Sequence, residues 1–254
     1  MAVAGRCCVK RFAVVQHTYS EFLGLIENQL EKRDIGFHYL RPFVGQQLPG
    51  STGQFDALFL LGGKVPLTDR RSVPWADDEI ALVAEFRKAR RPVVGIGFGA
   101  HVVVSQAGGV IRGEPFHQAY WAAAHKTAAG AKDALAQAVD GRRVLVFYNG
   151  SAELPAGVEP LVVDDEGRWL AARPDSLTYA LLFRSELKPG MIEDMVMEAK
   201  RITPPNIATL LAEARSQWTE TQTTTDRVIA ALTKELDLMT ERRKTPVFSI
   251  NVSE

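Results

Sequence analysis

The sequence predicts a mixed α/β fold: a doubly wound, mostly parallel sheet flanked by helices, with a C-terminal helical extension and tail. Three observations predict it. From about residue 11 to residue 109, short apolar runs alternate with stretches of helical periodicity, the βαβ pattern of a parallel sheet. The runs are apolar without interruption, as in Ala57-Leu58-Phe59-Leu60, which suits strands covered on both faces. One of them, Val93-Val94-Gly95-Ile96, enters a turn of closely spaced glycines and leaves it as a helix.

Taken in order, residues 11–16 (Phe12-Ala13-Val14-Val15) form the first strand, which ends at His17. Residues 19–33 carry Phe22, Leu23, Ile26 and Leu30 at helical spacing, and Gly36 stops that helix. Residues 37–42 form a second short strand, and the polar, glycine-rich residues 46–53 a loop. Residues 55–61 form a third buried strand, which ends in Gly62-Gly63. Pro74-Trp75 opens a helix whose first turn holds Asp77, Asp78 and Glu79, where acidic side chains favour the helix dipole. It runs to about Lys88, and the glycine-flanked strand follows.

The second half is less regular. Residues 121–140 are alanine-rich and read as part extended, part helical. Residues 143–148 form a strand before an Asn149-Gly150 turn. Residues 160–163 and 169–172 pair around Asp165-Glu166-Gly167, and residues 178–183 form a last buried strand. Residues 191–200 are helical. Residues 206–239 form one long or two shorter helices, broken near residues 219–225. No linker divides the chain, so residues 1–240 are expected to be one domain and residues 241–254 a tail.

Composition excludes several classes. Lysine plus arginine and aspartate plus glutamate number 30 each, so no net charge favours nucleic acid or an anionic membrane. No apolar run reaches the roughly 18 residues of a membrane span. Residues 1–10 lack the apolar stretch of a signal peptide. Cys7 and Cys8 are adjacent, which disfavours a mutual disulfide, and two cysteines make no zinc motif. A cytoplasmic protein without a cofactor is the expectation. His17 and His101 with Glu186 are the best candidates for metal ligands, but no close-spaced pair supports them, so no metal is expected.

The glycine turn, Gly95-Ile96-Gly97-Phe98-Gly99-Ala100-His101 followed by Gln106-Ala107-Gly108-Gly109, has the form of a nucleophile elbow. It resembles the elbow of class I glutamine amidotransferases, which carry Gly-Ile/Val-Cys-Leu/Phe-Gly-Ala/His-Gln there. Here Gly97 takes the cysteine position and His101 the glutamine position. Leu61-Gly62-Gly63, then Asp69 and Pro74-Trp75, resemble the family's upstream segment. Asn149-Gly150-Ser151-Ala152-Glu153-Leu154-Pro155 resembles its His-Gly-Asp…Leu-Pro loop. Leu182-Phe183-Arg184-Ser185-Glu186 resembles its Gln-Phe-His-Pro-Glu, with Arg184 in place of the histidine and Glu186 retained.

The resemblance implies a flavodoxin-like fold with a degenerate Cys-His-Glu triad at Gly97, Arg184 and Glu186. It also places the oxyanion-binding N–H groups at Gly63 and Phe98. A thiolate mechanism needs a nucleophile and a base, and an arginine cannot accept a proton at working pH. An active glutaminase is therefore the least favoured reading. Cys7 and Cys8 precede the first strand, at the opposite edge from the turn, and offer no substitute.

The remaining pocket would contain Gly63, Lys64, Phe98, His101, Asn149 and Arg184. Two readings of Arg184 follow. It binds a small anionic or amide ligand together with Lys64 and the helix N-terminus, or it pairs internally with Glu186 or another carboxylate. The implied role is that of a protein partner, a non-catalytic or regulatory subunit of a larger enzyme system, with homo-oligomerisation an alternative. The tail adds to this expectation. Val247, Ser249 and Asn251 alternate with Phe248, Ile250 and Val252, a strand pattern that would pair with its own sheet or with another subunit.

Overall fold

A computed structural model of the chain describes residues 10–198 and 203–238. Cys7, Cys8 and the proposed tail strand lie outside the described residues. The centre is an eight-stranded sheet of order β2-β1-β3-β4-β12-β11-β10-β7. Its strands are β1 (Arg11–Val15), β2 (Gly36–Leu40), β3 (Ala57–Leu60), β4 (Val93–Ile96), β7 (His125–Lys126), β10 (Pro160–Val163), β11 (Trp169–Asp175) and β12 (Thr178–Leu181). The first five in spatial order run parallel, and β11, β10 and β7 add to them antiparallel.

Every residue of β3, β4 and β12 is buried, as the unbroken apolar runs of β3 and β4 predict. Strand β4 sits between β3 and β12, with Val94 opposite both Phe59 and Tyr179. The Phe12 and Phe59 rings stack with centroids 5.2 Å apart.

Helices α1 (Leu25–Glu31) and α2 (Ala76–Lys88) make the crossovers from β1 to β2 and from β3 to β4. These crossovers run in opposite directions along the sheet from the β1–β3 boundary. Right-handed connections therefore place the two helices on opposite faces and open a crevice at the carboxyl ends of β1 and β3. Helix α2 buries Leu82, Val83 and Phe86, each contributing about 1.5–3 kcal/mol. Helix α3 (Phe98–Gln106) follows β4 and packs against α2.

Two ribbons, β5 (Val110–Arg112) with β9 (Ser151–Glu153) and β6 (Gln118–Ala123) with β8 (Arg143–Tyr148), extend the molecule beyond the sheet. A second, smaller core forms where α5 (Pro189–Glu198) and α6 (Ile207–Ser216) pack on the second ribbon, around Leu145, Met191, Ile192 and Leu210. In the alanine-rich stretch the helix is α4 (Ala134–Val139). Asp133 sets its start by accepting the Leu135 and Ala136 N–H groups, both at 3.0 Å.

Two expected helices differ from their sequence pattern. The helix expected over residues 19–33 begins only at Leu25, because Gly24 adopts φ 53°, ψ −113°. The Leu25 N–H donates to the Glu186 carbonyl at 3.0 Å. The C-terminal break falls at Gln217, between α6 and α7 (Trp218–Glu235), and not at residues 219–225. The threonines there stay helical: the hydroxyls of Thr221, Thr223 and Thr225 turn back onto carbonyls four residues earlier, at 2.8–3.0 Å, and do not interrupt the backbone ladder.

Candidate functional site

The site is built on the turn between β4 and α3. Gly97 has φ 57°, ψ −112°, a conformation that a side chain strains, and its N–H donates to Leu181 O at 2.8 Å. The flanking glycines answer to close approach. A Cβ on Gly95 would stand 2.2 Å from Gly99 O, and one on Gly99 would stand 2.3 Å from Leu60 O. The turn thus holds a nucleophile-elbow conformation with no nucleophile on it.

Arg184 occupies the space in front of it. A Cβ on Gly97 would lie 3.1 Å from Arg184 Cδ and 3.5 Å from Nη1. The arginine side chain is 1% exposed. Its Nε donates to Glu186 Oε1 at 2.5 Å, and its Nη1 donates to Phe147 O at 3.0 Å. Its Nη2 stands 2.9 Å from Glu21 Oε1. The N–H is not aimed along that last contact, which makes it an ion pair and not a directed hydrogen bond.

Glu21 is held in turn by Thr18, whose hydroxyl donates to Oε2 at 3.1 Å and accepts the Glu21 N–H at 3.1 Å. Burial works against the Arg184 charge, but Glu186 and Glu21 outweigh it and raise its pKa further. Burial raises the Glu186 carboxyl above the usual range, with Arg184 opposing. One guanidinium between two buried carboxylates is the internal-pairing alternative. Nε and Nη1 are hydrogen-bonded and Nη2 is ion-paired, so the buried guanidinium is committed to internal partners.

A second buried pair lies at the end of β1. Both His17 nitrogens face acceptors: Nδ1 donates to Gly62 O at 2.8 Å and Nε2 to Glu79 Oε1 at 2.8 Å. A ring donating from both nitrogens is an imidazolium. Burial lowers its pKa, but the Glu79 charge and hydrogen bond prevail, and the net shift is upward. Glu79 comes from the acidic first turn of α2, yet it is completely buried and turned inward. The Phe98 ring packs on His17 with centroids 4.6 Å apart.

In front of this pair opens a cleft of about 650 Å³, whose wall includes His17, Tyr19, Gly63, Lys64, Phe98 and Glu198. Lys64 is paired with Glu198, Nζ to Oε1 at 2.5 Å. Asn149 fixes the backbone of the same loop by donating Nδ2 to Lys64 O at 2.9 Å, and it lines an adjoining smaller pocket. His101 is completely buried behind the turn against the Tyr148 ring, with neither ring nitrogen paired among the described residues. Burial pushes its pKa down to about 4, so it is neutral. Of the expected ligand-binding residues, the structure brings Gly63, Lys64 and Phe98 to the cleft and Asn149 beside it. Arg184 and His101 face the interior.

Sequence reasoning missed Glu21, Glu79 and Glu198. The sequence pattern places Glu21 within the helix expected over residues 19–33 and Glu79 in an acidic first helical turn, and it gives none of the three a site role. A usable signal for Glu21 was its place in the polar run Thr18-Tyr19-Ser20-Glu21, directly after a buried strand at the ligand-binding edge. No group of three His, Cys, Asp or Glu side chains suited to a metal exists among the described residues. No described helix is long and apolar enough to cross a membrane.

Solved structures share this architecture. A glutamine amidotransferase from Thermotoga maritima is similar at a TM-score of 0.74 and 19% identity, over 90% of this chain and 98% of that one. A glutamine amidotransferase from Methylobacillus flagellatus is similar at a TM-score of 0.77 and 18% identity, over 96% of this chain and 100% of that one. No protein-family model matches the sequence, and no curated protein matches it significantly. The chain has the glutamine amidotransferase fold.

Proposed function

We propose that this chain is a catalytically degenerate class I glutamine amidotransferase-like protein. It acts as a non-catalytic subunit or regulatory partner of a larger enzyme system, in the amine or nitrogen metabolism that its fold relatives suggest. One observation carries this reading. The space before the elbow, where a nucleophile's side chain would project, is filled by Arg184 locked between Glu186 and Glu21. Attack on a carboxamide requires a thiolate or hydroxyl, and release of ammonia requires a group that takes and returns a proton. Gly97 supplies no nucleophile, and Arg184 cannot be the base. The test is affinity capture of the tagged full chain from its native source. The expected result is a stoichiometric enzyme partner; a chain that emerges alone in every condition contradicts the proposal.

A second reading is favoured by the cleft beside Lys64: a sensor or enzyme that uses the remodelled pocket for an anionic or amide ligand. A ligand-dependent rise in melting temperature of the isolated chain would support it.

A further inference from the structure

Glu198 is the last described residue of α5. It is held by four donors from two loops. Oε2 accepts the Ser20 N–H at 3.0 Å and the Ser20 hydroxyl at 2.5 Å. Oε1 accepts the Tyr19 N–H at 3.3 Å and pairs with Lys64 Nζ at 2.5 Å. Tyr19 and Ser20 follow β1 and Lys64 follows β3, so the donors converge at the carboxyl ends of the two strands that flank the switch point. Consecutive backbone N–H groups joined by an ammonium make an anion-binding concavity. Burial works against the Glu198 charge, but Lys64 and Ser20 prevail and hold its carboxyl below the usual range.

The cleft beside these donors has aromatic walls, including Tyr19, Phe43, Trp75, Phe98 and Phe116. Among the described residues, Glu198 is the one carboxylate in its lining. We propose that Tyr19, Ser20 and Lys64 form a binding site for the carboxylate of a small molecule with an apolar or aromatic body, and that Glu198 is the site's internal occupant. The Glu198 carboxylate displays the chemistry that the site accepts. A ligand must displace it, so its apparent affinity is reduced by the fraction of molecules in which Glu198 is engaged. Neither Gly97 nor Arg184 takes part. This inference rests on the second reading above and names its ligand class, and its failure would leave the partner reading untouched.

The opposing account is that Glu198 only fastens the end of α5. The experiment compares the full-length wild type with Glu198→Ala by titration calorimetry, with 3-phenylpropionate and acetate as probes. Circular dichroism checks the fold. The expected result is that Glu198→Ala binds 3-phenylpropionate at least tenfold more tightly than wild type, and acetate more weakly than 3-phenylpropionate. Adding Lys64→Ala to the variant should abolish the binding. Equal affinities in wild type and variant, or no binding of either carboxylate to the folded variant, overturn the proposal. If Glu198→Ala does not fold, Glu198→Gln removes the charge, keeps an acceptor for the N–H groups, and is judged by the same two outcomes.

Discussion

Arg184 Cδ lies 3.1 Å from the point where a Cβ on Gly97 would stand, so a side chain at Gly97 would press directly on the arginine. The absence of a side chain at Gly97 and the presence of the longest cation at position 184 are a single packing solution. The elbow's backbone persists because Gly95 and Gly99 let β3, β4 and α3 close on one another, whatever stands at the turn's tip.

Gly97→Cys should therefore destabilise the protein and give no activity. The positive φ costs a side chain about 1–3 kcal/mol. The guanidinium, tied to Glu186 and Phe147 O, cannot step aside cheaply. Urea denaturation should show the loss, and in a double-mutant cycle Gly97→Cys should cost less on an Arg184→His background than on the wild type. Equal stability of Gly97→Cys and wild type would contradict the crowding of position 97 by Arg184.

Arg184→Met should cost about 3–5 kcal/mol, because it leaves Glu21 and Glu186 buried without their cation. Adding Glu21→Gln and Glu186→Gln should recover most of that loss in the same denaturation assay. Failure of the triple variant to exceed the single one would mean that the arginine acts by packing alone.

The expected positions of strands and of the elbow agree with the structure because they rest on local signals. Unbroken apolar runs mark β3 and β4, and three glycines mark a turn pressed against a neighbouring strand. Arg184 and Glu186 are two residues apart, so their pairing was one of two readings open from the sequence. Glu21 lies far from Arg184 in the chain, and Glu198 meets Ser20 across 178 positions. Nothing periodic marks such contacts. Glu79 misled for a different reason: an acidic first turn suits the helix dipole whether its side chains face water or, as here, a buried imidazolium.

The two buried histidines should pull stability in opposite directions with pH. Burial holds folded His101 at about 4, while the unfolded residue takes a proton near 6.5. Between those values the unfolded state binds more protons, so this contribution is lost as pH falls from about 6.5 towards 4. For His17, burial lowers the pKa but Glu79 raises it more. Its contribution is whole below about 6.5 and is lost as pH rises through the raised folded value. His101→Leu should flatten the acid side of the melting curve relative to wild type, and His17→Gln the alkaline side. Parallel wild-type and variant profiles would contradict the assigned protonation states.

His101→Leu should also stabilise the protein at neutral pH. Both ring nitrogens are buried without partners among the described residues, and an orphaned polar group costs about 1–3 kcal/mol. Leucine fits an apolar helix interior and has the better helix propensity. A lower urea midpoint for the variant would show that an unseen hydrogen bond holds the imidazole.

The central claim is that Arg184 in front of Gly97 replaces glutaminase chemistry, and ammonia release from glutamine by the purified full-length chain tests it most directly. The account predicts no release above the buffer blank, for wild type and for Gly97→Cys alike. Protein-dependent release that a folded Glu186→Gln variant abolishes would contradict it.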